Sequence, residues 1–354
     1  MADLNVNSIG DASGGNTATI NGYAPTVSNM AGRNRIINGD MRIDQRASGA
    51  STTPSASGYH TVDRFGVFFS QVSKLTIGQN LDAVTPPTNF TNYLGTKTAS
   101  AVSVAAGDYF FSQHVIEGFN IADLGWGTAN AKTVTLSFKV YSSITGTFGG
   151  AVLNNGSARS YPFSYIISSA NTWTDVSITI EGDTSGTWLT NNGVGMYIRF
   201  GLGSGSTFTG ASGAWTTGNY VQPTGSVSVV GTSGATFYIT GVQLEEGSVA
   251  TPFEHRMYGQ ELALCQRYYE VLYNDSGTTG IFVLQYGSGV FRANWFFKQD
   301  KRASATVALA SGASWGGATP SIQGGISEAR LDASSGTYSI GTANTPSLYA
   351  AAEL

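Results

Sequence analysis

From Arg35 onward the chain is a succession of short runs in which apolar and polar residues alternate, the period of a strand with one buried face. The clearest is "KTVTLSFKVYS". Val134, Leu136, Phe138 and Val140 share one face there, and Thr135, Ser137, Lys139 and Tyr141 the other. "DYFFSQHVIEGF" alternates around Phe111, Gln113 and Val115, and "WTDVSITIEG" through Trp173, Val176, Ile178 and Ile180. "RIINGDMRI" reads as two strands about an Asn38-Gly39 hairpin turn. "YHTVDRFGVFF", "GVGMYIRFGL" and "ATFYITGVQL" complete the series. Turn signals separate the runs, and no βαβ rhythm appears. The pattern predicts a mainly β chain whose residues 34–254 form an antiparallel, jelly-roll-like β-sandwich.

Helical period shows in "YGQELALCQRYYEVLY". Leu262, Cys265, Tyr269 and Leu272 fall 3, 4 and 3 residues apart, on one stripe. Pro252 and Gly259 lie before it, and Asn274-Asp275-Ser276-Gly277 is a stop. This predicts one short connecting helix over 255–274, with those four residues packing it. Strand runs then resume in "GIFVLQYG", "GVFRANWFF", "ATVALAS" and "GTYSIGT", giving a small C-terminal β domain over 275–354. About 80 residues are few for an independent core, so this block is expected to associate with further copies. Residues 1–33 are polar and rich in Gly and Asn, the composition of an arm that orders on a partner or on copies of itself.

Composition narrows the function. Charged residues are 11% of the chain, against roughly 25% in ordinary soluble domains. The net charge of −4 and the scattered Lys and Arg give no phosphate-binding patch, so no nucleic-acid partner is expected. No apolar run has the ~18 residues of a membrane span, and no membrane insertion is expected. The start lacks the basic and apolar regions of a signal peptide. Cys265 is the only cysteine, which excludes an intrachain disulfide and a cysteine-based metal site. His60, His114 and His255 have no zinc spacing, and no Gly-rich loop with a following Lys suggests a nucleotide. No cofactor or metal is expected.

The chemistry-bearing residues read mostly as structural. His255 and Cys265 bracket the helix start, but a thiol on an apolar stripe reads as a small buried hydrophobe. Glu245 and Glu246 are adjacent, so a strand sends them to opposite faces, and they cannot flank one glycosidic bond. They read as solvated acids where the strand leaves the sheet. Glu117, Asp183, Asp63 and Asp300 show no informative spacing. No catalytic residue is assigned. The 6 Trp, 17 Tyr and 18 Phe are a different matter, because aromatic faces suit the C–H faces of sugars. Trp126, Trp188 and Trp215 lie in loop-like stretches, whereas Trp173 starts a strand. The candidates for glycan binding are Trp295, Trp315, Tyr286 and Tyr338 in the C-terminal block.

"ITGVQLEEGSVATPFEHRMYGQELALCQRYY" closely resembles a signature of bacteriophage tail-fibre and receptor-binding proteins. "NRIINGDMRIDQR", "YHTVDRF", "SQHVIEGFNIADLGWG" and "WTDVSITIEGDTSGTW" are similar to the same family's earlier motifs, so the resemblance covers about residues 33–273. It implies a homotrimeric virion protein, made in the host cytoplasm and acting at the host cell surface. The arm would join a tail or baseplate protein, and a host polysaccharide or lipopolysaccharide would be the receptor. A tailspike-like enzyme that degrades that polysaccharide is one alternative, though no β-helix repeat is present. A purely structural tail or baseplate component is another. The sandwich also resembles carbohydrate-binding jelly rolls that carry a structural calcium. Arg42, Thr240 and Gly241 stand where those place acidic ligands, so the fold carries over and the calcium does not.

Overall fold

The computed structural model describes residues 32–274, 282–285, 291–309, 321–333 and 345–354. Its first strands are β1 (Phe65–Phe69), β2 (Leu75–Gln79), β3 (Leu94–Thr98), β4 (Tyr109–Glu117) and β5 (Val134–Ser142). Next come β6 (Gly146–Asn154), β7 (Arg159–Ile167), β8 (Thr174–Ile180) and β9 (Val194–Ser204). The short β10 (Thr209–Gly210), β11 (Thr216–Thr217) and β12 (Gln222–Pro223) precede the long β13 (Thr236–Glu246). Strands β1-β4-β9-β6-β7-β11 form one sheet in that order, and β2-β3-β13-β5-β8 form a second. Every neighbouring pair in both sheets is antiparallel, as the alternation predicts.

The two sheets close on one apolar core. β5 sends Val134, Leu136, Phe138 and Val140 into it, each at most 2% exposed. From the opposite sheet β9 contributes Met196, Ile198, Phe200 and Leu202, all at 0%. Phe138 and Phe200 meet edge to face across the gap at 5.2 Å. The intervening residues of β9, Tyr197 and Arg199, therefore face away from the core.

The stretch around Asn38-Gly39 turns as expected but is not a hairpin of two strands. Asn38 has φ 60°. Its side-chain amide donates to Ile43 and Asp63 carbonyls, and its Oδ1 accepts from Ile43 N–H at 2.9 Å. Backbone bonds run instead to β13, from Arg35 to Leu244 and from Val242 to Gly39. Gly39 lies so close to β13 that a Cβ would sit 2.1 Å from the Val242 carbonyl. Glu245 also departs from expectation. It is 1% exposed and accepts from Thr251 N–H, Thr251 hydroxyl and the Gln243 amide, which ties down the turn after β13. Glu246 is exposed and paired with Lys132.

The helix α1 spans Tyr258–Gln266, shorter than the predicted 255–274. Tyr269 and Leu272 belong instead to β14 (Tyr269–Asn274), which pairs with the chain's last strand. "YYEVLY" is rich in aromatic and β-branched residues, and the available edge of a distant strand decides its state. Helical spacing thus placed four residues on one stripe that the structure divides. Cys265 is fully buried with Ile37, Ile43 and Tyr268, and Leu262 is partly buried against them. Tyr269 stacks on Tyr349 at 5.9 Å, and Leu272 packs against the C-terminal cluster.

The C-terminal elements are β15 (Phe282–Gln285), β16 (Phe291–Phe296), β17 (Thr306–Leu309), β18 (Ser321–Gly324), β19 (Glu328–Ala333) and β20 (Thr345–Ala351). They make a sheet β14-β20-β17 and a sheet β15-β16-β19-β18. Because β14 begins at Tyr269, this block starts six residues before the expected boundary at 275. Trp295, Ala329 and Leu331 pack with Leu348 and Ala350 in a small core.

The signature motifs hold the joint together. The Glu254 carboxylate of "TPFEHR" accepts from Gly32 N–H at 2.7 Å and Asn34 N–H at 2.8 Å. Arg256 donates to the Ile36 and Asn34 carbonyls, and Arg42 donates to the Arg256 carbonyl. Glu261 of α1 accepts from Asn38 N–H. At the end of the helix, Arg267 and the Tyr268 hydroxyl both donate to Glu117 of β4, at 2.6 to 2.9 Å.

Burial pushes the Glu117 carboxyl up, but the bonds from Arg267 and Tyr268 outweigh it and hold the group below its ordinary value. A depressed folded-state pKa contributes stability that is fully present above the ordinary value of 4.5 and is lost as pH falls through the folded value. The melting temperature of the parent is therefore expected to drop more steeply below about pH 5 than that of Glu117→Gln. Equal acid limbs in a pH series of thermal melts would show that this carboxylate is not linked to folding.

Candidate functional site: an aromatic cleft with a buried arginine

On the outer face of the six-stranded sheet, three neighbouring strands present the residues that alternate with their core positions. β1 buries Phe65, Val67 and Phe69 in the core and presents Phe68 outward. Gly66 beside it has no side chain, and a Cβ there would lie 2.8 Å from the Phe68 ring. β4 presents Tyr109, Phe111 and Gln113, and β9 presents Tyr197 and Arg199. The register sets these together, with Phe68 opposite Phe111 and Gln113 opposite Arg199.

The segment between β9 and β13 folds back to form the cleft's other wall. Phe208 ends a single 3-10 turn, Ser206–Phe208. Its carbonyl accepts from Val221 N–H at 2.8 Å, and the parallel pair β10–β12 pins the same loop. The resulting cleft, about 230 Å³, is lined by Phe68, Tyr109, Phe111, Arg199, Phe208, Asn219 and Val221. Phe68 stacks on Phe111 at 5.5 Å, and Tyr109 meets Phe208 edge to face at 5.1 Å.

Arg199 is 7% exposed and sits at the centre. Nε donates to Gln113 Oε1 at 2.9 Å, one terminal nitrogen to Asn219 Oδ1 at 2.6 Å, and the other to Ser157 Oγ at 3.2 Å. Its guanidinium carbon lies 4.7 Å from the centre of the Phe111 ring. Burial pushes its pKa down to about 10, opposed by Tyr197 and Tyr109, so the group is still cationic at neutral pH. Rigid aromatic faces beside fixed donors and acceptors form a surface that can stack on a sugar ring and bond its hydroxyls.

Of the glycan-binding candidates read from the sequence, Trp295 is among the described residues. Tyr286, Trp315 and Tyr338 fall outside the described residues. Trp295 is 3% exposed and packs edge to face on Phe297 at 5.0 Å, so it is a core residue of the C-terminal block. Alternation along β16 turns Trp295 inward and Phe296 outward. Trp126, Trp188 and Trp215 form one cluster with centroids 4.7 to 5.5 Å apart, each indole N–H donating to a carbonyl. They brace loops against the sandwich. One signal of the cleft was present in "GVGMYIRFGL", where an arginine interrupts the apolar run of a central strand. Its partners come from residues 68 to 219, and no local pattern joins them.

Among the described residues, three of the acids named from the sequence are each paired with an arginine. Asp63 bonds Arg46, Glu117 bonds Arg267 and Asp183 bonds Arg159. Cys265 is fully buried, and burial raises its thiol well above the ordinary value. His114 is fully buried against Phe65, with burial holding it well below its usual range. Among the described residues no group of three His, Cys, Asp or Glu could hold a metal. Arg42 pairs with Asp40. A larger depression, about 860 Å³, lies between α1 and the C-terminal block. Its Arg256 and Arg267 are already bound within the joint.

No protein-family model matches the chain, and no curated protein matches it. Among solved structures it is similar to the enzymatically active domain of bacteriophage CBA120 tailspike protein 4, at 11% identity and a TM-score of 0.33. That match covers 60% of this chain and 21% of the other, so the chain spans about a fifth of the tailspike structure. It is also similar to the CBM22-1 xylan-binding domain from Paenibacillus barcinonensis Xyn10C, at 8% identity and 0.28, covering 57% and 95%. A family 11 carbohydrate-binding module of a Clostridium thermocellum cellulosomal cellulase matches at 12% and 0.26, covering 59% and 99%.

Proposed function

We propose that this chain is an adhesive virion protein, a bacteriophage tail-fibre or receptor-binding protein that binds a host surface glycan in the cleft between Tyr109, Arg199 and Phe208. The cleft carries this reading: its aromatic and polar groups come from three strands and one pinned loop, so the site is preorganised. In this reading it acts by binding; the pairing of Asp63, Glu117 and Asp183 each with an arginine supports that. The motifs resembling phage fibres support the virion setting. In that setting the chain is a homotrimer whose N-terminal arm joins a tail or baseplate protein. Three weak sites on one body then gain avidity through effective concentration.

Purified protein is expected to bind host cells and to be displaced by polysaccharide or lipopolysaccharide extracted from them. Tyr109→Ala and Phe208→Ala are expected to weaken single-site binding about tenfold or more, the effect of losing an aromatic contact in a desolvated pocket. Unchanged binding by both variants, with native circular dichroism, would place the receptor site elsewhere. Release of reducing ends from the polysaccharide would replace the adhesin with an enzyme. Light scattering is expected to give about three times the 37.0 kDa chain mass. A stable monomer would remove the avidity mechanism.

A further inference from the structure

We infer that the glycan bound in this cleft is acidic, and that Arg199 receives the carboxylate of a uronic acid or another carboxylated sugar. The inference rests on the glycan-binding reading and specifies its ligand. The other deeply buried arginines are matched by acids: Arg64 pairs with Glu353, and Arg46 with Asp63 and Glu353. Arg199 is also buried, and among the described residues its hydrogen bonds go only to neutral acceptors, from Gln113, Asn219 and Ser157. Those three bonds leave two of the five guanidinium N–H groups unassigned.

A buried cation without an anion is unfavourable, and a ligand carboxylate would relieve it. The neutral acceptors and the Phe111 ring fix the guanidinium plane, so the fork is oriented before ligand arrives. Arg199 is also the sole cation among the residues lining the cleft. One guanidinium charge balances one carboxylate, whereas a phosphate monoester dianion would leave excess negative charge in the cleft. Tyr109 and Phe208 stand in the same cleft to stack on the sugar that carries it.

The test uses the full chain on an array of bacterial surface oligosaccharides. Each carboxylated member is printed beside its carboxyl-reduced counterpart, together with phosphorylated glycans. Binding is expected for carboxylated members, falling about 10- to 100-fold on reduction, the effect of losing a charge-assisted bidentate contact. Arg199→Gln should abolish that preference, and Arg199→Lys should retain only part of it. Equal binding of the acidic and reduced members would overturn the acidic ligand while leaving the glycan cleft standing. Preference for phosphorylated members would overturn the carboxylate assignment. Binding to no member, or binding indifferent to Tyr109→Ala and Phe208→Ala, would overturn the cleft reading as well.

Discussion

Replacing Glu353 with alanine is expected to destabilise the chain by about 3–5 kcal/mol, the cost of breaking a buried ion pair from one side. Glu353 enters the sandwich and accepts from two arginines, Arg46 at 2.7 Å and Arg64. The Arg64 side chain is completely buried, with its guanidinium 3.6 Å from the Tyr268 ring centre and donating to the Val115 carbonyl. Burial alone would lower its pKa. Glu353, with Tyr59 and Tyr268, more than reverses that, and the group is held firmly charged. In the variant Arg64 keeps its charge and loses its anion. Arg46 retains Asp63 and is less affected. Chemical denaturation of parent and variant measures the difference. A loss below about 1 kcal/mol would show the cluster to be solvated, because exposed pairs contribute that little.

The Glu270→Ala variant should suffer a comparable loss, about 3–5 kcal/mol, within the C-terminal block. Glu270 accepts from Lys301 Nζ at 2.6 Å, and both side chains are at most 1% exposed. It also accepts from the backbone N–H of Lys298, which holds the turn in place. Burial lowers the Lys301 pKa, and Glu270 partly restores it. Removing the acid strands an ammonium group left with the Gln299 carbonyl and the face of the Phe297 ring. The double variant Glu270→Gln, Lys301→Met removes both charges together and should recover much of the loss. Equal instability of the single and double variants would mean that packing, not charge, holds this turn.

These two clusters also show where sequence reading stops. Alternation found β5 and β8, because a strand with one buried face carries that requirement in its own residues, whereas β9 and β13 are buried along nearly their whole length and stand out as apolar runs between turns. It misjudged residues 267–274, where β14 takes its state from pairing with β20 some 80 residues away. It likewise read Glu245 as a solvated acid, although Thr251 and Gln243 satisfy it in the interior. The motifs that resemble phage fibres proved to touch one another, Glu254 and Arg256 with residues 32–36. That contact gives their composition a structural reason at the joint.

By itself the sequence determined a mainly β sandwich followed by one helix and a further β block, since periodicity and turn residues act locally. It also settled the packing role of Cys265, which follows from an apolar setting. The tertiary structure alone decided which aromatics face outward together and that Arg199 is buried among neutral acceptors. Both depend on strand register, which joins Phe68, Phe111 and Arg199 across β1, β4 and β9, and on a loop returning Phe208 and Asn219 to the same face. Register is set by the fit of the whole core, so no window of sequence around Arg199 contains the cleft.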